Sequence, residues 1–333
     1  MSAIICSKTV RNRYLPGCNM NRGNVTVNNV LDNIRYHLEN EGFVVSQPFI
    51  FYPVSFDIIA KRDELLLIMK YVPNIFRITG EALEDFRLFS EYLHGSVMIF
   101  GNENRRGLLE NGVMYSRDGI PVVTPETFID WIKYDEGPCV YSMAGGVFAR
   151  IDGNALREIR ITRNLSIGEL ADKVGVSRKS IQYYESGHDA ELDTALDLEE
   201  ILEADIIRPI NFVDKGMVDS KKRSARHSNL NEFQKSICDH FFSLGYDFRI
   251  FSKTMPFETI TISEQLPFLT AIVDKKDNVK KRELTIKEIV DVSGAKSFMV
   301  TEESMKNDTD IPTFTLEEIL SMQSPEEFLE MIM

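Results

Sequence analysis

The sequence predicts a fold of mixed class, α/β plus all-α, in which a helical centre lies between two α/β domains of one pattern. Three observations predict it. A succession of amphipathic helix, glycine stop and strand-like segments occurs near the start and again near the end. Both successions close on an Ile-Pro-x-x-Thr phrase, Ile120 to Thr124 and Ile311 to Thr315, that leads into a helix. Between them the apolar spacing becomes purely helical, broken only by serine and glycine.

Taken in order, residues 1–24 form a basic tail, with Lys8, Arg11, Arg13 and Arg22 and no acidic residue. In the first α/β domain, 25–137, Val30, Ile34 and Leu38 recur at helical spacing before Gly42. Strand-like runs follow at Phe49 to Phe51 and Ile58 to Met69. A helix follows at Glu81 to Leu93, a strand at Val97 to Phe100, and a helix at Glu126 to Ile132 that Thr124 caps. Residues 138–153 read as a β linker, a short hairpin around Gly145-Gly146. The helical module takes 154–213. A tether, 214–229, carries Lys221-Lys222-Arg223 and few apolar side chains. The second α/β domain, 230–333, repeats the first: Phe233, Ile237 and Phe241 before Gly245, strands at Phe248 to Phe251, Thr259 to Ile262 and Phe268 to Val273, a helix at Leu284 to Val292, a strand at Ser297 to Val300, and Thr315 capping the helix Glu317 to Leu320.

Composition bounds the function. A chain of 333 residues has room for two or three domains. Its most apolar segment, Val44 to Ala60, is broken by Ser46, Gln47, Pro48, Pro53, Ser55 and Asp57, so no membrane span and no secretory core is expected, and the protein is placed in the cytoplasm. Cys6, Cys18, Cys139 and Cys238 are too scattered for a disulfide framework or a zinc knuckle. The five histidines lack metal-ligand spacing, and no phosphate loop or nucleophile elbow is present, so no metal or cofactor is expected. A net charge of −13 does not exclude nucleic acid, because duplex binding needs only a locally positive face.

The segment Leu165 to Gly187 carries the function. Ser166 with Glu169 is a capping box and starts a helix. Leu170 and Val174 give that helix its apolar face, and Ala171 is small enough for a close crossing. Gly175 turns the chain, and Ser177 caps a second helix. In this second helix Ile181 and Tyr184 face the core, whereas Arg178, Lys179, Gln182 and Tyr183 face outward. Two short helices joined by a glycine turn form the unit that enters a major groove. Ser177, Arg178, Lys179, Gln182 and Tyr183, with Lys173 on the preceding helix, are the candidate DNA contacts.

Through Leu170-Ala171, Gly175-Val176-Ser177, Ile181, Tyr184-Glu185 and Gly187 the segment resembles the helix-turn-helix of lambda repressor, Cro and the xenobiotic-response-element regulators. The resemblance implies a lambda-repressor-like domain, an ion pair between Arg160 and Glu185 that locks its first and third helices, and a double-stranded DNA partner. The family often has Gln near the start of the second helix to hold a phosphate, and Ile167-Gly168 stands there instead. The whole chain resembles the HTH-type regulators of archaea, through Phe56-Asp57 to Lys70, Gly107 to Gly112 and Gly119 to Phe128.

Asp57 with Leu67-Ile68-Met69-Lys70 resembles the PD-(D/E)xK nuclease core, which makes both flanking domains restriction-endonuclease-like by implication. Those enzymes need an acid two residues before the Lys so that two carboxylates hold Mg²⁺. Ile68 occupies that position, and the nuclease motif reads as degenerate. The second copy offers Glu258 near the Asp position but Ala271 and Ile272 in place of the triplet. Arg105-Arg106 in the loop before Gly107 have two readings, a phosphate contact or, as for most exposed loop arginines, solvation alone. The sequence thus predicts a non-enzymatic regulator binding an inverted repeat as a homodimer, its α/β domains serving dimerisation or a small-molecule or protein effector. The alternatives are a nuclease or junction-processing enzyme targeted by the helix-turn-helix, and an adaptor that binds protein only.

Overall fold

The computed structural model describes residues 26–49, 55–135, 137–211, 213, 230–251, 255–262, 267–273, 279–302 and 309–332. The basic tail with Cys6 and Cys18, Phe51 of the first expected strand, and the tether with Lys221, Lys222 and Arg223 lie outside the described residues.

The elements begin with α1 (Val27–Asn40), β1 (Val44–Val45), β2 (Ile58–Arg62), β3 (Leu65–Tyr71), a 3-10 turn (Ile75–Arg77), α2 (Gly80–Leu93) and β4 (Ser96–Phe100). A small hairpin of β5 (Glu103–Asn104) and β6 (Gly107–Leu108) precedes β7 (Val113–Arg117), β8 (Ile120–Val123) and α3 (Pro125–Tyr134). The central run is β9 (Val140–Met143), β10 (Gly146–Ala149), α4 (Gly153–Thr162), α5 (Ile167–Val174), α6 (Arg178–Glu185), β11 (Ala190–Glu191) and α7 (Leu192–Leu202). The last part is α8 (Glu232–Ser243), β12 (Asp247–Ile250), β13 (Thr259–Ile262), β14 (Pro267–Val273), α9 (Val279–Ser293), β15 (Lys296–Thr301), β16 (Thr313–Thr315), α10 (Leu316–Ser321) and α11 (Pro325–Ile332). No helix among the described residues is long and apolar enough to cross a membrane.

The described residues fall into two compact units, one drawn from Met1–His37, Tyr71–Arg77 and Met98–Met217, the other from Leu38–Lys70, Ile78–Val97 and Val218–Met333. In the first, β8 runs parallel to β4 through Ile99↔Val122 and Phe100↔Val123, and antiparallel to β7 through Tyr115↔Val122. The sheet then continues. Strand β7 pairs in parallel with β9 through Val113↔Val140 and Met114↔Tyr141, β9 with β10 as a hairpin, and β10 with β11 through Ala149↔Ala190. Within residues 138–153, read from sequence as a β linker, Val140–Met143 and Gly146–Ala149 form the expected hairpin but as strands of this sheet. Burial is the reason: Val113, Val140, Ala149 and Ile151 pack in one core with Leu156, Leu170, Ile181, Leu198 and Ile207 of the helical module.

In the second unit β1, β2 and β3 form an antiparallel set through Val44↔Lys61 and Ile58↔Met69. Strands β12 to β16 are ordered as in the chain, the first two pairings antiparallel and the last two parallel. Helix α9 starts at Val279, earlier than the expected Leu284. The later expected α/β region has a core of its own, with Phe241, Phe268, Phe298 and Phe328 among its buried residues, and it also touches the earlier region. Phe56 stacks on Phe89 at 5.0 Å, Phe89 lies 5.3 Å from Phe257, and Phe257 lies 5.0 Å from Phe251, so aromatic residues of both expected α/β regions are in contact. Lys61 Nζ also donates to the Ser293 carbonyl at the end of α9, at 3.0 Å.

Candidate nucleic-acid interface

Each helix of the central module is set by its own cap. The Asp152 carboxylate accepts the Ala155 amide at 2.9 Å and starts α4. Its other oxygen accepts from Arg208 Nε at 2.9 Å. The Ala155 amide and the Arg208 guanidinium hold this carboxyl below its ordinary value against the opposing effect of burial. Ser166 Oγ accepts the Glu169 amide at 3.1 Å while Glu169 returns a carboxylate to the Ser166 amide at 2.8 Å, closing the capping box of α5. Gly175 takes φ +78° and its N–H reaches the Ala171 carbonyl at 2.9 Å, which turns the chain from α5 toward α6. Ser177 then accepts the Ser180 amide at 3.0 Å.

The module is locked at two points. Arg160 Nε donates to Glu185 Oε1 at 2.5 Å and its second terminal nitrogen to Oε2 at 3.2 Å, a two-pronged bond between the end of α4 and the end of α6. The side chains are only 10% and 9% exposed, and Arg160 also donates to the Leu165 carbonyl at 2.9 Å. Near it, α4 starts so close to the end of α6 that a Cβ on Gly153 would lie 2.6 Å from the Tyr184 carbonyl oxygen and 2.7 Å from that of Glu185. Only glycine fits there. Behind both contacts, Glu199 Oε1 accepts the amides of Ile206 and Ile207 at 2.9 Å each and ties the chain after α7 back to the core. Tyr141 of β9 donates its hydroxyl to Asp189 at 2.7 Å, and burial, then this bond, pushes its pKa up to about 12.

Ala171 and Ile181 are buried, while Ser177, Arg178, Lys179, Gln182 and Tyr183 on α6 and Lys173 on α5 are exposed. Arg178 does not extend straight outward. Its guanidinium lies over Gly168, 3.0 to 3.2 Å from where a Cβ would stand. Tyr183 stacks on His188 with centroids 3.5 Å apart and planes 20° apart. The His188 Nδ1 is also within 3.0 Å of Ser186 Oγ. Sequence reasoning missed His188, Asp152, Glu199 and Arg208. Asp152, three residues before Ala155, was a readable cap signal; His188 and Glu199 act nearby in the chain but follow no spacing rule, and Arg208 reaches Asp152 from 56 residues away.

The nuclease-like residues sit in the second unit. Lys70 Nζ donates to Asp57 Oδ1 at 2.8 Å. Ile68, where an acid would stand, is fully buried and pairs with Ile59 across β2 and β3. In the later α/β region the backbone of Glu258 makes hydrogen bonds of the same pattern as that of Asp57. Phe49 donates to the Asp57 carbonyl and Asp57 to that of Met69, as Phe251 donates to Glu258 and Glu258 to Thr270. Glu258 is ion-paired with the Arg282 guanidinium of α9. Among the described residues no group of three or more His, Cys, Asp or Glu side chains is arranged to hold a metal ion. The cysteines bring a correction, since Cys139 is disulfide-bonded; Cys238 is a buried free thiol that burial raises to about 12.

Comparison with known proteins agrees with this geometry. Residues 27–138 match the PD-(D/E)XK superfamily domain and residues 156–206 match the helix-turn-helix model. A provisionally named HTH-type transcriptional regulatory protein of Methanocaldococcus jannaschii is 31% identical over 89% of this chain and 93% of its own length. The chain belongs to that family. Relatives with the same provisional name in Methanocella arvoryzae (32% identical, 84% of this chain and 86% of theirs) and Thermococcus kodakarensis (31%, 83% and 86%) extend it. In this chain Arg160 pairs with Glu185 and Lys70 with Asp57, and Ile68 stands two residues before Lys70.

Proposed function

We propose that this protein is a cytoplasmic, sequence-specific transcriptional regulator that lays α6 in the major groove of double-stranded DNA, two copies of the chain reading an inverted repeat. The observation that carries this reading is the face of α6. Ser177, Arg178, Lys179, Gln182 and Tyr183 are all exposed on a helix whose far end is held by the Arg160–Glu185 bond. A polar face on a fixed helix is what direct readout requires: Gln182 can pair with the N6 and N7 edge of adenine, and Lys179 can neutralise a phosphate. Arg178, folded over Gly168, is placed for a phosphate or for guanine O6 and N7. Selection of bound duplexes from a random pool, followed by titration of the selected site, tests the reading. Binding that Lys179→Ala and Gln182→Ala both leave untouched would refute it.

The α/β regions serve dimerisation or an effector in this reading, and the chain is not an enzyme. A targeted nuclease is the second reading, favoured by the PD-(D/E)XK match over 27–138. Against it stands Ile68, an apolar residue at the position where the nuclease motif carries its second metal-binding acid. The shared backbone hydrogen-bond pattern of Asp57 and Glu258 supports reading 230–333 as a repeat of 25–137, with Arg282 taking the part of Lys70.

A further inference from the structure

In the first unit a cluster of arginines gathers on a surface that the α6 contacts do not use. The 3-10 turn Ile75–Arg77 lies against the β5–β6 hairpin, joined by a bridge between Asn74 and Glu103 and by Asn74 Nδ2 donating to Glu103 Oε1 at 3.1 Å. Phe76, 37% exposed, stands between two guanidiniums: that of Arg105 is 4.5 Å from the ring centroid and that of Arg117 is 5.1 Å away. Arg77 and Arg106 are exposed beside them. Among the described residues Arg77, Arg105 and Arg106 have no carboxylate partner, and Arg117 is shared with Asp118 at 3.4 Å while its Nε has no hydrogen-bond partner.

The use of an aromatic ring here has a consequence. A carboxylate that positions an arginine also cancels its charge, whereas a ring face positions the cation and leaves the charge available to an anion. In a chain of net charge −13, four guanidiniums against the two carboxylates of Glu103 and Asp118 make a local positive surface. Its placement matters as well. Arg117 ends β7, roughly 10 Å along the strand from Met114, and Met114 pairs with Tyr141 in the strand that roots the helix-turn-helix. Arg117 thus lies on the sheet that includes β9, and the patch and the recognition helix belong to one compact unit.

We propose that Arg105, Arg106 and Arg117, ordered around Phe76, form a second DNA-backbone site that grips phosphates of the duplex outside the stretch read by α6. This rests on the DNA-binding reading above. The test uses the full chain and fluorescent random-sequence duplexes of about 12 and about 40 base pairs, roughly one and four helical turns, titrated at several salt concentrations. On the long duplex Arg105→Ala/Arg106→Ala should lower the salt slope by about two and the affinity at low salt by tenfold or more. On the short duplex it should bind as the unsubstituted protein does. Phe76→Leu keeps every charge but frees the guanidiniums, and should produce part of the long-duplex loss. Both changes lie on exposed turns, and an unchanged melting temperature verifies folding. Equal slopes for variant and unsubstituted protein on the long duplex overturn the site. So does an equal loss on both lengths, which would put these arginines inside the α6 footprint. Lys179→Ala run in parallel separates the readings: it should reduce the slope on both lengths, and its failure to do so refutes the α6 reading whatever the patch does.

Discussion

At the residue scale, the module depends on a few groups with no freedom to move. Arg160 and Glu185 are nearly buried, so removing either leaves the other charge unpaired, and Arg160→Ala or Glu185→Ala should each cost about 3 kcal/mol. Chemical denaturation of both singles and the double variant should give a double loss at least 1 kcal/mol short of the sum; strict additivity would mean the pair is not a coupled lock. Gly153→Ala should cost roughly 1–3 kcal/mol, since its methyl would press on the carbonyls of Tyr184 and Glu185 and the backbone there must shift. Asp152 gives a pH signature. Its folded carboxyl is held below the ordinary value by the Ala155 amide and Arg208, so the stability it adds is complete above the unfolded value of about 3.9 and fades as the pH drops through the lower folded value. Thermal melts of Asp152→Asn below about pH 4 should accordingly approach those of the natural chain.

At the element scale, α6 and the β7–β9 pairing carry different burdens. Gln182→Ala should relax preference at one base pair per half-site, at roughly 1–3 kcal/mol against the selected site, and Lys179→Ala should weaken selected and scrambled duplexes alike with a salt slope lower by about one. These outcomes separate a base contact from a phosphate contact on neighbouring turns of one helix. The β7–β9 pairing fixes that helix to the α/β part of its unit. Val140 is a buried residue in the joint core, and Val140→Asp should unfold the helical module as well as the sheet, read as loss of a single cooperative melt. Two separate transitions in the natural chain would show that the joint is loose. From sequence the hairpin looked like a linker because its strands are short and glycine-centred, and nothing local in Val113 to Arg117 marks β7 as its partner.

At the scale of the whole molecule, the proposed function makes two demands, two-fold symmetry on the duplex and no hydrolysis of it. Two copies of α6 related by a two-fold axis should protect half-sites about 34 Å apart, centre to centre; footprinting that finds a single unrepeated site would exclude the homodimer. No Mg²⁺- or Mn²⁺-dependent cutting of duplex, single-stranded or branched DNA is expected, because Ile68 stands where the nuclease motif carries its second metal-binding acid. Cleavage that vanishes in Asp57→Ala or Lys70→Ala would reverse this. If the later α/β region repeats the earlier one, the two should superpose strand for strand in an experimental structure. The alignment should bring Phe56-Asp57 onto Phe257-Glu258.

The sequence by itself determined the central module, because its signals are local. A cap and the amide that it satisfies are three residues apart, as in Ser166 with Glu169 and Ser177 with Ser180. A glycine turn is legible wherever a left-handed residue is needed, as at Gly175. It also determined that Ile68 stands where a nuclease would carry an acid. Only the tertiary structure decided what joins what. Phe56 and Phe89 are joined to Phe251 and Phe257 by ring contacts, β7 adopts β9, and Arg105 and Arg117 meet across Phe76. These pairings bring together residues that are distant in the chain. Apolar burial and charge drive them without regard to order along it, so no periodicity or spacing could announce them.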